Sequence, residues 1–149
     1  MDEQYMELAY QQALHAYEND EVPIGAIIVK DSQVIASAFN QKETLQDVTA
    51  HAEILAIQQA CQYLSSWHLD DCTLYVTLEP CLMCSGAIIQ SRIKRVVYGA
   101  STHRWSGLND YLTHYSFNHK PLLENGILEE KCSILLSSYF KNKRLMNKK

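Results

Sequence analysis

The fold is decided by a run of apolar residues followed by a proline and a cysteine pair, Thr73-Leu74-Tyr75-Val76-Thr77-Leu78-Glu79-Pro80-Cys81-Leu82-Met83-Cys84. The segment 73–78 is almost continuously apolar or β-branched, which is typical of a strand covered on both faces. Proline is favoured in the first turn of a helix, so Pro80 predicts a helix that runs to about Ser91. Residues 95–98 are predicted to form the next strand. A strand, a helix and another strand in this order predict a sheet that is at least partly parallel.

Helices and strands are also predicted on both sides of this central unit from the spacing of apolar residues. Before it, we predict a helix over residues 5–17, a hairpin with strands over 22–29 and 34–39, a loop over 40–48, and a helix from a capping Thr49 to about Leu64. After it, we predict a loop with a short helix over 105–119, a strand within 121–126, and an amphipathic helix from Ile127 to about Lys143 that carries Ile134 and Tyr139 on its apolar face.

Length and composition predict one globular domain over residues 1–149. A chain of 149 residues is about one domain long, and 47% hydrophobic with 20% charged residues is an ordinary globular balance. Seventeen acidic residues outnumber 13 basic ones, which excludes nucleic-acid binding by bulk charge. The basic end of the last helix, residues 139–149, is a local exception, although a solvated helix end is the commoner meaning of such a run. Its charges come from Lys141, Lys143, Arg144, Lys148 and Lys149.

The five cysteines and the N-terminal residues indicate the cellular compartment. The start of the chain is acidic and lacks the charged and apolar regions of a secretory signal, so we expect a cytoplasmic protein. Thiols stay reduced there, and cysteine spacing is therefore interpreted as metal binding or catalysis before disulfide formation. No apolar run approaches the ~20 residues that a membrane span requires, so no membrane association is expected.

Two short motifs at predicted helix starts carry the chemistry: Thr49-Ala50-His51-Ala52-Glu53 and the Pro-Cys-x-x-Cys of residues 80–84. A lone Cys-x-x-Cys could be half of a zinc finger or a redox pair, but the remaining cysteines are isolated and complete no four-ligand structural site. Together the motifs favour a catalytic metal, because Cys81 and Cys84 share a helix face and His51 can supply a third ligand. Three protein ligands leave one position open, and Glu53 beside it could move protons.

These residues resemble the zinc-dependent cytidine deaminase superfamily, whose signature is His-x-Glu followed by Pro-Cys-x-x-Cys. Within it, the match is to the bacterial, TadA-type tRNA-specific adenosine deaminases, and it covers nearly the whole chain. The segments that carry it, besides the signature, are Glu21–Ala26, Asn40, Leu74–Cys81, Ser91–Ile93, Val96–Ala100, Asn118-His119, Gly126–Leu128, Tyr139-Phe140 and Arg144.

The resemblance implies a three-layer α/β/α, cytidine deaminase-like fold around a five-stranded mixed sheet, in a homodimer with each active site near the subunit boundary. It implies hydrolytic deamination of adenosine to inosine at the wobble position of a tRNA anticodon loop, with one zinc ion per subunit. The implied roles are zinc binding by His51, Cys81 and Cys84, proton transfer by Glu53, base binding by Asn40 and Ile24, and contact with the anticodon stem-loop by Phe140, Lys143 and Arg144.

Two departures from the family pattern bear on substrate choice. After Ala100 the family carries an Asp, a Lys and a Gly-Ala-rich turn, whereas here residues 101–107 have Thr102 at the place of the acid. Val48 stands where a proline is usual. Replacement of the missing phosphate contacts by His103 and Arg104 is one hypothesis.

Two other functions therefore stay open. One is a deaminase of a free base or nucleoside, of the cytosine, guanine or cytidine type, over whose small pocket the altered loop could close. The other is a zinc-stabilised RNA-binding module without turnover. Glu53 argues against this last alternative, because a structural metal site has no use for a carboxylate beside an open position.

Overall fold

The computed structural model describes residues 1–102 and 104–147, so the hypothesis for His103, and Lys148 and Lys149 of the predicted basic end, lie outside the described residues. The described chain forms helices and strands in alternation. They are α1 (Asp2–Glu18), β1 (Gly25–Lys30), β2 (Gln33–Phe39), α2 (Lys42–Leu45), α3 (Ala52–Leu64), β3 (Cys72–Leu78), α4 (Leu82–Ser91), β4 (Arg95–Ala100), α5 (Leu108–His114), β5 (Leu122–Asn125) and α6 (Glu129–Asn147).

The strands form one mixed sheet in the order β2-β1-β3-β4-β5. Strand β1 is antiparallel to both of its neighbours, with Ile28 opposite Leu74 on β3. Strands β3, β4 and β5 are parallel, so that Leu74 lies beside Val96 and Val96 beside Leu123. The predicted five-stranded mixed sheet is confirmed.

Alternate residues of the central strands supply two separate hydrophobic cores. Ile28, Leu74 and Val96 pack under α3 and α4, while their neighbours in sequence, including Ile27 and Val97, pack under α1. Helix α6 contacts β3 and β4. Both faces of the sheet are covered, which explains the continuous apolar runs of its central strands. Each fully buried aliphatic side chain contributes ~1.5–3 kcal/mol to the free energy of unfolding. Helices on both faces of the sheet are the predicted α/β/α arrangement.

Helix α1 approaches β1 so closely that only glycine fits at the first position of the strand. A Cβ atom on Gly25 would overlap the carbonyl oxygen of Ala9 and would lie 2.5 Å from the amide nitrogen of Ala13. The amide of Gly25 also donates to the hydroxyl of Thr77 on β3, at 3.2 Å. The glycine therefore fixes the position of α1 against the sheet.

The predicted loop over residues 40–48 contains the short helix α2. Its cap comes from a distant residue: the backbone N–H groups of Glu43 and Thr44 donate to the side chain of Glu21. Local spacing cannot reveal such a cap.

Both helices that carry the motifs begin two residues later than predicted. Thr49 does not cap α3, because its amide and hydroxyl both donate to Asp47. The N-cap residue is His51 in α3 and Cys81 in α4. The predicted apolar face of α6 is confirmed for Tyr139, which is buried, but is wrong for Ile134, which is 58% exposed.

Within the described ranges, we find no helix that is both long and apolar enough to cross a lipid bilayer.

Candidate active site

The site lies where two helices begin. His51 is the N-cap residue of α3 and Cys81 that of α4, each with an extended backbone and without a side-chain capping bond. Their carbonyl oxygens accept the first helical bonds, from the amides of Leu55 and Ser85. Because neither side chain caps its own helix, the imidazole and the thiol are available to each other. Two helix N-termini meeting in this way favour negative charge between them.

Three potential metal ligands converge at this point. Nδ1 of His51 lies 3.7 Å from Sγ of Cys81 and 3.5 Å from Sγ of Cys84, and all three atoms lie within 4.8 Å of one another. His51 and Cys81 are half-buried and Cys84 is buried. The predicted ligands are therefore brought together in an arrangement compatible with a metal site.

The protonation of the two thiols is set by their mutual hydrogen bond. A hydrogen bond from Cys84 and, to a smaller extent, the contact with His51 lower the pKa of Cys81 to about 4. The same hydrogen bond, together with burial and the nearby Glu53, raises the pKa of Cys84. Hydrogen bonding to Cys81 raises the pKa of His51. The surroundings thus favour ionisation of Cys81, and a bound cation would favour ionisation of Cys84 as well.

Glu53 is buried beside this cluster, with 3% of its surface exposed. Within residues 1–102 and 104–147, its Oε1 is the buried side-chain oxygen or nitrogen that has no hydrogen-bond partner. Burial raises the pKa of this carboxyl group to about 7. A carboxyl group that titrates near neutral pH, with one oxygen aimed at no protein donor, is suited to accept and release a proton.

The predicted base-binding residue Asn40 follows β2 and is 6% exposed. Its backbone amide donates to the carbonyl oxygen of Ile24, at 3.1 Å. Its side-chain Oδ1 accepts from the amide of Lys42 and its Nδ2 donates to the carbonyl of Val22. These bonds use one of two donor and one of two acceptor positions of the amide, which is held rigidly while one of each remains. The structure places Ile24 and Asn40 side by side.

Phe140 and Lys143, two of the predicted RNA-binding residues, line an open groove of about 660 Å³ that also contains Asn40 and Lys42. Phe140 is 45% exposed, and Nζ of Lys143 pairs with Asp20 at 2.7 Å. Arg144 is exposed on α6 but does not line the groove. The structure therefore brings Phe140 and Lys143, but not Arg144, to the groove that contains Asn40.

Sequence reasoning missed two buried carboxylates near the motifs. Glu21 is fully buried, and Glu79 is 8% exposed. Each accepts two backbone N–H groups: Glu21 from the start of α2, and Glu79 from Thr102 and Asn109. The available signal was an acid placed directly against an apolar segment, which is rare unless the acid is satisfied.

Comparisons with known proteins agree with this geometry. A family model described as MafB19-like deaminase matches residues 1–128. The chain is 46% identical to a tRNA-specific adenosine deaminase of Bacillus subtilis over 99% of this chain and 93% of that one. A solved structure from a study of A-to-I editing by tRNA:A34 deaminases is 43% identical, with a TM-score of 0.83 over 89% of this chain and 98% of that one. A guanine deaminase from Bacillus subtilis is 44% identical, with a TM-score of 0.64, over 66% of this chain and 64% of that one.

The α/β fold and the matched family model define an enzyme of the deaminase class, which acts on a carbon–nitrogen bond. Within that class, the chain is similar over nearly its whole length to several tRNA-specific adenosine deaminases, at 38–46% identity. The chain belongs to the family of tRNA-specific adenosine deaminases.

Proposed function

We propose that the protein converts adenosine to inosine at the wobble position of a tRNA anticodon loop, releasing ammonia. One observation carries the proposal: the buried carboxyl group of Glu53 keeps an unpaired oxygen beside the His51, Cys81 and Cys84 cluster. The names of the relatives support tRNA adenosine as the substrate.

The three ligand residues fit zinc. For tetrahedral coordination with Zn–N of ~2.0 Å and Zn–S of ~2.3 Å, neighbouring ligand atoms lie ~3.5–3.8 Å apart. The distances from His51 Nδ1 to the two sulfur atoms, 3.7 and 3.5 Å, agree with that requirement. Zinc bound there would supply a Lewis acid that makes water acidic enough to ionise near neutral pH. His51, Cys81 and Cys84 would hold one ion per subunit.

The remaining steps fall to residues of the chain. As the oxygen of the attacking water bonds to C6, Glu53 accepts one of its protons and delivers it to the amino group. The C6–N bond then breaks and ammonia leaves, and the second water proton ends on N1 of inosine. Asn40 binds the base edge with its remaining donor and acceptor, and Ile24 lines the pocket. Burial of Glu53 excludes bulk water from the proton that is transferred.

RNA would lie along the groove beside α6. Phe140 offers an exposed aromatic face for stacking, and Lys143 and Arg144 offer charge to the phosphates. The pair of Lys143 with Asp20 does not prevent this, because an exposed ion pair is worth only ~0–1 kcal/mol and can be exchanged for a phosphate.

We further propose a single domain over residues 1–149, a homodimer and a cytoplasmic location. One continuous sheet carries both cores, which supports the single domain. Leu82, directly after Cys81, and Val48 are each 68% exposed. A second subunit covering them would remove that apolar surface from water. A reduced thiol pair and a tRNA substrate both suit the cytoplasm.

A free-base deaminase is the second candidate, because the guanine deaminase match reaches 44% identity over two thirds of the chain. The test is a substrate panel on one zinc-loaded preparation: an anticodon stem-loop with A at the wobble position, the same loop with G there, free adenosine, guanine, cytosine and cytidine. We expect the first RNA to be the preferred substrate, with free adenosine converted to inosine at a measurable but much lower kcat/KM and no turnover of guanine, cytosine or cytidine. Faster turnover of guanine or of another small molecule would contradict the proposal.

The role of α6 is tested by Lys143→Ala with Arg144→Ala. Fewer phosphate contacts should weaken turnover of the stem-loop and flatten its dependence on salt, while turnover of free adenosine stays unchanged. Lys120→Ala is the matched control, because it removes an exposed lysine that does not line the groove. Equal losses in both variants would contradict RNA binding by this helix.

A further inference from the structure

The segment between Asn40 and His51 connects the proposed base-binding residue to the proposed metal ligand. A buried carboxylate holds it in place, together with a backbone hydrogen bond from the amide of Gln41 to the carbonyl of Ala50. Glu21 is 0% exposed. Its Oε1 accepts the amide of Glu43 at 2.9 Å, and its Oε2 accepts the amide of Thr44 at 2.6 Å. In the described part of the chain, no lysine, arginine or histidine forms an ion pair with Glu21. Both oxygens therefore bind the backbone of α2 alone.

Helix α2 in turn is hydrogen-bonded to the side chain of Asn40. The amide of Lys42, the first residue of α2, donates to Oδ1 of Asn40 at 3.2 Å. On the other side, Nδ2 of Asn40 donates to the carbonyl of Val22, the residue next to Glu21. Hydrogen bonds thus connect Glu21 to α2, α2 to the side chain of Asn40, and that side chain to Val22, which follows Glu21 in the chain. These bonds leave one donor and one acceptor of the Asn40 side chain for a ligand.

Four residues are too few to hold this helix in place. A single helical turn is unstable alone, because nucleation costs more than its few hydrogen bonds return. No side chain of α2 is buried, so packing does not fix it either. Burial of a carboxylate is unfavourable unless the group is fully hydrogen-bonded. The amides of α2 supply those hydrogen bonds to Glu21, so the carboxylate and the helix stabilise each other.

We propose that Glu21 is a positioning residue: by holding α2 it sets the orientation of the Asn40 amide, and so controls binding of the base. This inference rests on the proposed function for the role of Asn40. The loss of Glu21 should therefore weaken binding of the base and leave binding of the RNA backbone unchanged.

The test uses the zinc-loaded, full-length enzyme with Glu21→Gln, which keeps the shape but leaves one N–H without an acceptor. We expect KM to rise at least about tenfold for both the stem-loop and free adenosine, with kcat within threefold and the zinc content unchanged. Glu21→Asp keeps the charge, shortens the reach by ~1.5 Å and should give a smaller rise. Glu130→Gln, at an exposed position on α6, should have no effect.

A double-mutant cycle with Asn40→Ala isolates the route. If Glu21 acts through Asn40, then Glu21→Gln should cause no further loss of kcat/KM when Asn40 is already alanine. Additive losses, loss of zinc in Glu21→Gln, or a KM increase confined to the stem-loop would each overturn the proposal.

A measurement without substrate separates this inference from the proposed function. Hydrogen exchange at the amides of Glu43 and Thr44 should accelerate at least tenfold in Glu21→Gln, while amides of β3 stay protected. Unchanged exchange would refute the holding role whatever the substrate is. If exchange accelerates but the substrate panel fails, the proposed function is wrong and the holding role stands.

Discussion

Gly25→Ala should destabilise the protein strongly through a single methyl group. Its Cβ would lie 2.5 Å from the amide nitrogen of Ala13 and 2.7 Å from Cβ of Gln12, and it would overlap the carbonyl oxygen of Ala9, where ordinary contacts begin at 3.4 Å. Two of these atoms are backbone, so α1 as a whole must retreat from the sheet by ~1 Å. Overpacking costs ~1–3 kcal/mol, and we expect about 3 here because no side chain can rotate away.

The assay is equilibrium unfolding in urea together with calorimetry, with the same metal content in every sample. A loss of about 3 kcal/mol corresponds to a fall in Tm of ~6–12 °C for a chain of this size. Gly86→Ala is the matched control, because Gly86 is exposed inside α4 and a Cβ there would meet nothing within 4 Å. That variant should gain up to ~1 kcal/mol from helix propensity. A Gly25→Ala protein as stable as the wild type would refute the packing argument.

Three further outcomes follow from the site and from the fold. Glu53→Gln should keep its metal and lose ~10²–10⁴ of turnover, and full activity would remove Glu53 from the mechanism. Chelation should abolish activity and lower Tm, both restored by zinc, since a ligand of the native state alone stabilises it. Hydrogen bonding to Arg95 lowers the pKa of Asp2 from its ordinary value of 3.8 to about 2. After solvent screening this pair stabilises the fold by about 1 kcal/mol, and the stabilisation is present above pH 3.8 and is lost as pH falls towards 2. The difference in unfolding free energy between wild type and Asp2→Asn should shrink over that window, and a constant difference would contradict the assignment.

The sheet could be predicted because its central strands carry their own signal. Strands β3 and β4 are buried on both faces, which requires apolar residues at nearly every position, and their order with α4 requires parallel pairing. Helix α2 could not be predicted, since its stability comes from a carboxylate 22 residues earlier in the chain. Apolar character alone also did not show which side of α6 faces the core.

The convergence of His51, Cys81 and Cys84 was predictable for a different reason. Its residue types are rare and chemically specific, so the spacing of His51, Cys81 and Cys84 was informative before any fold was known. Glu21 and Glu79 left no comparable mark, because their partners are backbone amides, which every residue carries. The roles of Asn40, Phe140 and Arg144 rest on the resemblance and stay predictions.

The cluster is divided between two halves of the chain, with the imidazole at residue 51 and the sulfur atoms at 81 and 84. A cation held by all three side chains would therefore link the starts of α3 and α4, although their N-cap residues lie 30 positions apart in the chain.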